Sequence, residues 1–255
     1  MKQIVHRIKY NCLLVISSSL EKLRLASRSS GPQGTFDGEE FVFYRSFFNN
    51  SNASLDVLDI GANTGLWAID FLQAVSAGEV VIHAIEPIPE FIQIINAKGD
   101  PRILTHNYAI GKDLGEIKIA KIGQGGTSFP NTDNSYPEAR KDIHWHTVPS
   151  ISGDSLVTEL GIKPDLIKID TDGFDFTILK SLQKTLVLFR PVVQFEFTFR
   201  FAKKAKYSLC DVIDYLDLQN YRSFVLTSEG NLRQVIFPRL EVLNHQTKNF
   251  IALPN

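Results

Sequence analysis

A glycine turn and a later carboxylate are the residues of this chain whose spacing best suits ligand binding. The apolar run Leu55–Ile60 is followed by Gly61-Ala62-Asn63-Thr64-Gly65. This order favours a buried parallel strand and a tight turn, and the helical pattern after it favours the crossover helix of a βαβ unit. Open α/β sheets bind ligands at the carboxyl ends of their strands, where the next helix presents free N–H groups. Gly61 and Gly65 would let a ligand approach the backbone, because neither carries a Cβ atom.

The spacing also narrows the class of ligand. A dinucleotide-binding turn needs glycine where this chain has Asn63 and Leu66, and the phosphate-binding pattern G-x-x-x-x-G-K-[ST] is absent from this stretch. The next apolar run, Val80–Ile85, ends in Glu86, whose carboxylate can accept hydrogen bonds from both hydroxyls of a ribose. These residues indicate a nucleoside without requiring a pyrophosphate. S-adenosylmethionine (SAM) fits that description.

Three short segments occur in order along the chain: Asp59–Gly65, Ala84–Pro87, and Ile167–Asp175 with Leu179-Lys180 after it. Together they resemble the FkbM family of SAM-dependent methyltransferases. In the family the third segment resembles K-I-D-V-E-G-x-E. This chain has Asp172 and Asp175 where Glu is usual, which keeps the charge and shortens the reach, and Ser181 where Gly is frequent. The resemblance covers roughly residues 55 to 200.

The resemblance and the residue types together predict a cofactor site at one edge of the sheet. Asp170 would face the cationic amino group of SAM. The exit of the third strand, from Asn107 to Gly111, would by resemblance lie beside the adenine, although Asn107 could instead cap a turn. Asp59 is either structural or close to the methionine end of SAM. The predicted cofactor-binding residues are Asp59, Gly61, Ala62, Asn63, Thr64, Gly65, Glu86, Pro87, Asn107 and Asp170.

Carboxylates near the acceptor are the expected catalytic groups. A sugar or alcohol hydroxyl has too high a pKa to react unaided, so a general base is expected. With Asp170 assigned to the cofactor, Asp172 and Glu196 are predicted to act on the acceptor. The same acidic residues could instead hold Mg²⁺, and the sequence does not assign metal ligands. Asp175 stands in the first turn of a predicted helix, where the helix dipole favours an acidic residue.

These observations predict a SAM-dependent O-methyltransferase that acts on a hydroxyl of a small molecule. The acceptor class, a sugar or glycan precursor, is implied by the family resemblance. One alternative is a non-catalytic nucleoside-binding or scaffold protein on the same fold. Another is an NAD-dependent oxidoreductase, which the missing glycine pattern disfavours.

The elements that must position these residues alternate in an α/β pattern. We expect a Rossmann-like sheet of seven mostly parallel strands with helices on both faces, the class I SAM methyltransferase architecture that the resemblance implies. Residues 115 to 149 break the βαβ pattern and predict a small antiparallel insertion over the crevice, whose Thr127 and Ser128 could contact an acceptor. The aromatic residues between Glu39 and Phe48 predict a helix that packs into the core ahead of the first strand.

The chain of 255 residues is long enough for one large domain with an N-terminal extension. We expect a helical extension and linker at residues 1–50 and the methyltransferase domain at residues 51–255. Apolar residues recur near helical spacing over residues 3 to 26, so this segment is predicted to form one amphipathic helix or two short ones. It could pack on its own domain or form a homodimer with a second copy. The alternatives are a lid or wall on the substrate side of the site, or docking on a membrane surface.

Composition excludes several other classes of protein. A formal net charge of −1 gives no case for nucleic acid as a partner. Cys12 and Cys210 form neither a redox nor a zinc pattern, which favours a reducing compartment. No apolar stretch of about 20 residues exists, so no transmembrane segment is expected. Basic residues followed by the short apolar run Cys12–Ile16 imitate a signal peptide without a cleavage site, and a cytoplasmic protein is expected.

Overall fold

The computed structural model describes residues 38–49, 54–76, 78–111, 114–122, 128–130, 143–227, 229–236, 238 and 247–255. The predicted helix at residues 3–26, the predicted linker directly after it, Thr127 and the side chain of Ser128 lie outside the described part. The homodimer through the N-terminal helix and the domain boundary after residue 50 therefore stay predictions.

Helices and strands alternate through most of the described chain. In chain order they are α1 (Glu39–Phe48), β1 (Leu55–Ile60), α2 (Leu66–Ala74), β2 (Val80–Ile85), α3 (Pro89–Ala97), β3 (Ile103–His106), β4 (Ala109–Gly111), β5 (Gly115–Ile122), β6 (Ser128–Pro130), β7 (Ile143–Ser152), α4 (Gly153–Leu160), β8 (Leu166–Ile169), α5 (Asp175–Ser181), α6 (Gln183–Phe189), β9 (Val192–Thr198), α7 (Phe199–Lys204), α8 (Leu209–Leu218), β10 (Tyr221–Leu226), β11 (Leu232–Gln234) and β12 (Thr247–Pro254).

The larger sheet confirms the predicted fold class. Its strand order is β11-β10-β12-β9-β8-β1-β2-β3, in which β9, β8, β1, β2 and β3 run parallel and β12 runs antiparallel to both of its neighbours. The seven predicted strands are all present. The structure adds an eighth, the short edge strand β11, which pairs antiparallel with β10.

The register of the parallel strands aligns their carboxyl ends. Ile60 in β1 is level with Ile85 in β2 and with Ile169 in β8, and Ile169 is level with Phe195 in β9. The residue after each of these positions therefore lies at one edge of the sheet. Those residues are Gly61, Glu86, Asp170 and Glu196.

The aromatic residues of α1 are part of the core, as the sequence predicts. The helix carries four buried aromatic side chains, and Tyr44 stacks edge to face on both Trp67 and Phe71 of α2. Phe47 is the exception and is 46% exposed. The helix thereby covers the sheet face next to the glycine turn.

Four strands within residues 109–152 form a second, smaller sheet. Its strand order is β4-β7-β5-β6, with β5 antiparallel to β7 and to β6, which confirms an antiparallel insertion. The short strand β4 differs from the prediction. Residues Ala109–Gly111 were expected as the exit of the third strand, but they pair in parallel with β7 and belong to this smaller sheet. In the described part of the chain no helix is long and apolar enough to cross a membrane.

Candidate functional site

The main pocket lies where the carboxyl edge of the larger sheet meets the smaller sheet. It encloses about 760 Å³ of space, part of it open to solvent. The residues that follow β1, β2 and β8 form one side, and Ile117 and Ile119 of β5 form the other. A pocket of this size, lined by both apolar and polar side chains, suits a nucleoside-sized ligand.

The glycine turn is fixed by packing within the protein. Gly61 and Gly65 have φ of 85° and 73°, in the left-handed region that favours glycine. A Cβ atom at Gly61 would overlap the carbonyl oxygen of Asp170, and one at Gly65 would lie 2.9 Å from Cγ1 of Ile95. The sequence suggested that these glycines admit a ligand. The structure shows that each is required by a neighbouring segment of the chain.

Glu86 is held rigidly at the end of β2. Its Oε2 atom accepts a hydrogen bond from the N–H of Asn63 (2.8 Å), and Oε1 accepts one from the N–H of Ile88 (2.9 Å). Each carboxylate oxygen has a second lone pair, so Glu86 can still accept hydrogen bonds from a ligand in the pocket that it lines. Burial raises the pKa of Glu86 to about 7, although the two N–H groups oppose that shift.

Asn107 supports the pocket from outside its lining. Its Nδ2 atom donates to the carbonyl oxygens of Glu86 and Pro87, each at 2.9 Å. The amide therefore ties the end of β3 to the loop that follows β2. A direct contact between the Asn107 side chain and adenine stays a prediction.

Lys168 joins two of the predicted cofactor-binding residues. Its Nζ atom lies 3.1 Å from Oδ1 of the fully buried Asp59 and 3.4 Å from Oδ2 of Asp170, which lines the pocket. Burial raises the pKa of Asp59, and the Lys168 ammonium opposes this. Burial alone would lower the pKa of Lys168, but the two carboxylates raise it above its usual value. Asp59 therefore forms a buried ion pair with Lys168 and does not itself line the pocket.

Asp172 lies in a left-handed turn between β8 and α5. Its φ is 52°, and its side chain lines the pocket. Burial and the nearby Asp170 carboxylate raise its pKa to about 6. The next helix begins at Asp175. Burial raises the pKa of the Asp175 carboxyl group to about 8, although hydrogen bonds from backbone N–H groups oppose that shift.

Glu196 lies beside Asp170 but outside the lining of the main pocket. With Asp175 and Tyr207 it lines a small cavity next to the turn. Its Oε2 atom accepts a hydrogen bond from Oγ1 of Thr198 (3.2 Å). Burial, followed by the Asp170 charge, raises its pKa to about 7. Two carboxyl groups with raised pKa values, Asp172 and Glu196, thus lie next to Asp170, and raised pKa values of this kind are frequent at catalytic sites.

The pocket brings together part of the predicted site. The predicted residues that line it are Gly61, Asn63, Glu86, Pro87, Asp170 and Asp172. The predicted residues outside its lining are Asp59, Ala62, Thr64, Gly65, Asn107 and Glu196. Among the described residues no group of three His, Cys, Asp or Glu side chains is arranged to hold a metal ion, so the Mg²⁺ alternative gains no support from them.

Several pocket residues were not identified from the sequence. They are Ile117, Ile119, Thr171, Phe174 and Ile178, whereas Tyr108, Ala109 and Ile110 belong to the segment from Asn107 to Gly111 that was expected beside the adenine. Thr171 is notable because its buried Oγ1 atom has no hydrogen-bond partner among the described residues. Lys168 was also missed, although a lysine inside the apolar strand Leu166–Ile169 is a signal that a buried carboxylate lies nearby.

The chain is similar to known proteins in sequence and in structure. A family model described as the methyltransferase FkbM domain matches residues 59–223. The chain is 26% identical over 138 residues to the hexuronic acid methyltransferase AglP of Haloferax volcanii, a match that covers 51% of this chain and 52% of the relative. It is also similar in structure to an FkbM methyltransferase from Methylobacillus flagellatus KT, with 14% identity, a TM-score of 0.51, and coverage of 79% of this chain and 44% of that chain. The chain thus spans about half the length of the curated relative.

Proposed function

Because the chain belongs to the FkbM methyltransferase domain family, we propose that it transfers a methyl group from SAM to a hydroxyl of a small molecule, a sugar or glycan precursor. The observation that carries this proposal is the shared pocket of Glu86, Asp170 and Asp172 at the carboxyl edge of the sheet.

The residues of the pocket fit the chemistry of SAM. Glu86 presents a fixed carboxylate to the hydroxyls of a ribose. Asp170 is 43% exposed at its side chain and can accept a hydrogen bond from a cationic amino group. The apolar side chains of Ile110 and Ile119 offer a surface for a purine ring.

Different residues of the site carry out different steps of the proposed reaction. Bound SAM would supply an electrophilic methyl group on a sulfonium sulfur. The walls of the pocket hold the acceptor oxygen in line with that group, which lowers the entropic part of the barrier. Asp172 or Glu196 takes the proton from the acceptor hydroxyl, and raised pKa values near 6 and near 7 suit a base that works close to neutral pH.

The acidic surroundings favour a hydroxyl over a carboxylate as the acceptor. The relative is named for hexuronic acid, which carries both groups, and the name does not specify the oxygen that is methylated. A carboxylate would be repelled by Asp170 and Asp172 and would need no base. A neutral hydroxyl needs one.

Calorimetric titration of the purified protein with SAM, and in parallel with NAD, tests the cofactor. We expect SAM to bind with a dissociation constant on the order of micromolar and NAD to give no heat of binding. Binding of NAD alone would contradict the proposal.

An acceptor assay tests the reaction. The protein would be incubated with SAM and with glucose or glucuronic acid, with and without EDTA, and the products analysed by mass spectrometry. A methyl ether, which resists alkaline hydrolysis, is the expected product. An alkali-labile ester would instead show that a carboxylate is the acceptor, and SAM binding without turnover would favour a non-catalytic nucleoside-binding protein.

Replacing Glu86 by Ala is expected to weaken SAM binding by roughly 1 to 3 kcal/mol, because the hydrogen bonds from the ribose to a charged acceptor are lost. Calorimetry measures the change directly. The matched control is Glu116→Ala, which removes an exposed glutamate of β5 and should leave the affinity unchanged. If Glu86→Ala binds SAM with wild-type affinity, Glu86 does not contact the ribose.

A further inference from the structure

Asp175 closes the turn that carries Asp172. Its Oδ2 atom accepts a hydrogen bond from the N–H of Gly173 (2.9 Å), and its Oδ1 atom accepts one from the N–H of Thr171 (3.2 Å). The side chain is buried, with 5% exposed. One carboxylate therefore binds the backbone on both sides of Asp172.

The turn needs such support because its backbone is strained. Asp172 has a φ of 52°, in the left-handed region that is unfavourable for residues other than glycine. Gly173 has a φ of 102° and contacts α7 closely, since a Cβ atom there would lie 2.8 Å from Cβ of Phe201. The turn is thus fixed by α7 on one side and by the Asp175 carboxylate on the other.

Asp175 also lies between the two groups that could act as the base. It is absent from the lining of the main pocket, which contains Thr171 and Asp172, and it lines the small cavity that contains Glu196 and Tyr207. A carboxylate in this position acts on the reaction through the turn, without touching the acceptor.

We propose that Asp175 is a positioning residue that holds the Thr171–Gly173 turn, and with it the Asp172 carboxylate, in the geometry required for methyl transfer. The inference rests on the proposed function for its catalytic part. The position of Asp172 can also be measured without turnover.

The central variant is Asp175→Asn, which keeps the shape of the side chain but replaces one acceptor oxygen by a donor. Asp175→Glu keeps both acceptor oxygens. The matched control is Asp154→Asn, because Asp154 also lies in the first turn of a helix and accepts backbone N–H groups of Lys184 (2.9 Å) and Thr185 (2.8 Å), away from the main pocket.

Two measurements test the turn itself. In Asp175→Asn, hydrogen exchange at the Gly173 or Thr171 amide should become faster by about tenfold, since one of them loses its acceptor. The pKa of Asp172, followed by carbon NMR of its carboxyl group, should fall toward its ordinary value as the turn opens to water. Both results should be absent in Asp154→Asn and weaker in Asp175→Glu.

The acceptor assay and SAM calorimetry complete the test. Asp175→Asn should lower kcat by roughly 10- to 100-fold through misplacement of Asp172, with unchanged SAM affinity, and Asp175→Glu should restore part of the loss. Wild-type kcat in Asp175→Asn, or an equal loss in Asp154→Asn, would overturn the proposal. If the wild-type protein neither binds SAM nor transfers a methyl group, the proposed function fails. Hydrogen exchange at the Gly173 and Thr171 amides and the pKa of Asp172 still decide whether Asp175 holds the turn.

Discussion

Replacing Glu196 by Gln is expected to lower kcat by about 10²- to 10⁴-fold, the contribution of a positioned general base. Glu196 in β9 lies beside Asp170, because it follows Phe195, which is level with Ile169. Burial raises the pKa of Glu196 to about 7, so it can take a proton from a hydroxyl near neutral pH. Gln keeps the shape and the contact with Thr198, but it cannot accept that proton. Steady-state kinetics measures kcat, and calorimetry should show unchanged affinity for SAM.

The matched variant is Asp172→Asn. Asn tolerates the left-handed backbone of position 172, so this change removes the charge without forcing the turn to move. Wild-type kcat in Glu196→Gln together with a large loss in Asp172→Asn would make Asp172 the base. Wild-type kcat in both variants would contradict base-assisted transfer to a hydroxyl.

The pH dependence of kcat shows whether Glu196 or Asp172 is the base. A general base works as the anion, so kcat should fall as the pH drops through about 7 if Glu196 is the base, and through about 6 if Asp172 is. The Asp172 charge is one cause of the raised pKa of Glu196. If Glu196 is the base, kcat in Asp172→Asn should therefore fall at a lower pH than in the wild-type protein.

Replacing Lys168 by Met is expected to lower the free energy of unfolding by about 3 to 5 kcal/mol, because it leaves a buried charge without its partner. The Lys168 ammonium lies 3.1 Å from Oδ1 of Asp59, which is fully buried, and no second group among the described residues binds the other oxygen of Asp59. Urea denaturation measures the loss. It should be accompanied by a change in SAM affinity, since Lys168 also contacts Asp170.

Two control variants show whether the loss comes from burial of the charge. Arg102→Met breaks the exposed ion pair with Asp100 (2.7 Å) and should cost at most about 1 kcal/mol. The double variant Asp59→Asn/Lys168→Met removes both charges and should recover much of the stability that Lys168→Met loses. A loss in Lys168→Met no larger than that in Arg102→Met would show that the buried pair contributes little.

Local patterns were sufficient to predict the parallel sheet and the residues at its edge. Short apolar runs that end in glycine or a carboxylate mark β1, β2 and β8, and the rule that short crossovers connect parallel strands brings their ends together. Gly61, Glu86 and Asp170 could therefore be placed at one edge from the sequence. The packing of helix α1 into the core was also predictable from the sequence, because the helix has more apolar residues than positions that could face solvent.

Contacts between distant segments could not be predicted in this way. Asp59 and Lys168 are 109 positions apart, and neither the pairing nor its burial has a local signal beyond a lysine in an apolar strand. The tight packing of Gly61 against Asp170 has the same origin. The sequence indicated glycine, but only the tertiary structure shows which neighbour requires it.

The sequence by itself determined the class of fold, the family and the edge of the sheet where the acidic residues gather, because these follow from periodicity and from short motifs. The tertiary structure decided the role of each carboxylate. Asp59 forms a buried ion pair, Glu86 is fixed by two N–H groups, and Asp175 holds a strained turn. Side chains that all end in a carboxyl group take different roles because burial and hydrogen-bond partners, which depend on the whole fold, set the charge and position of each one.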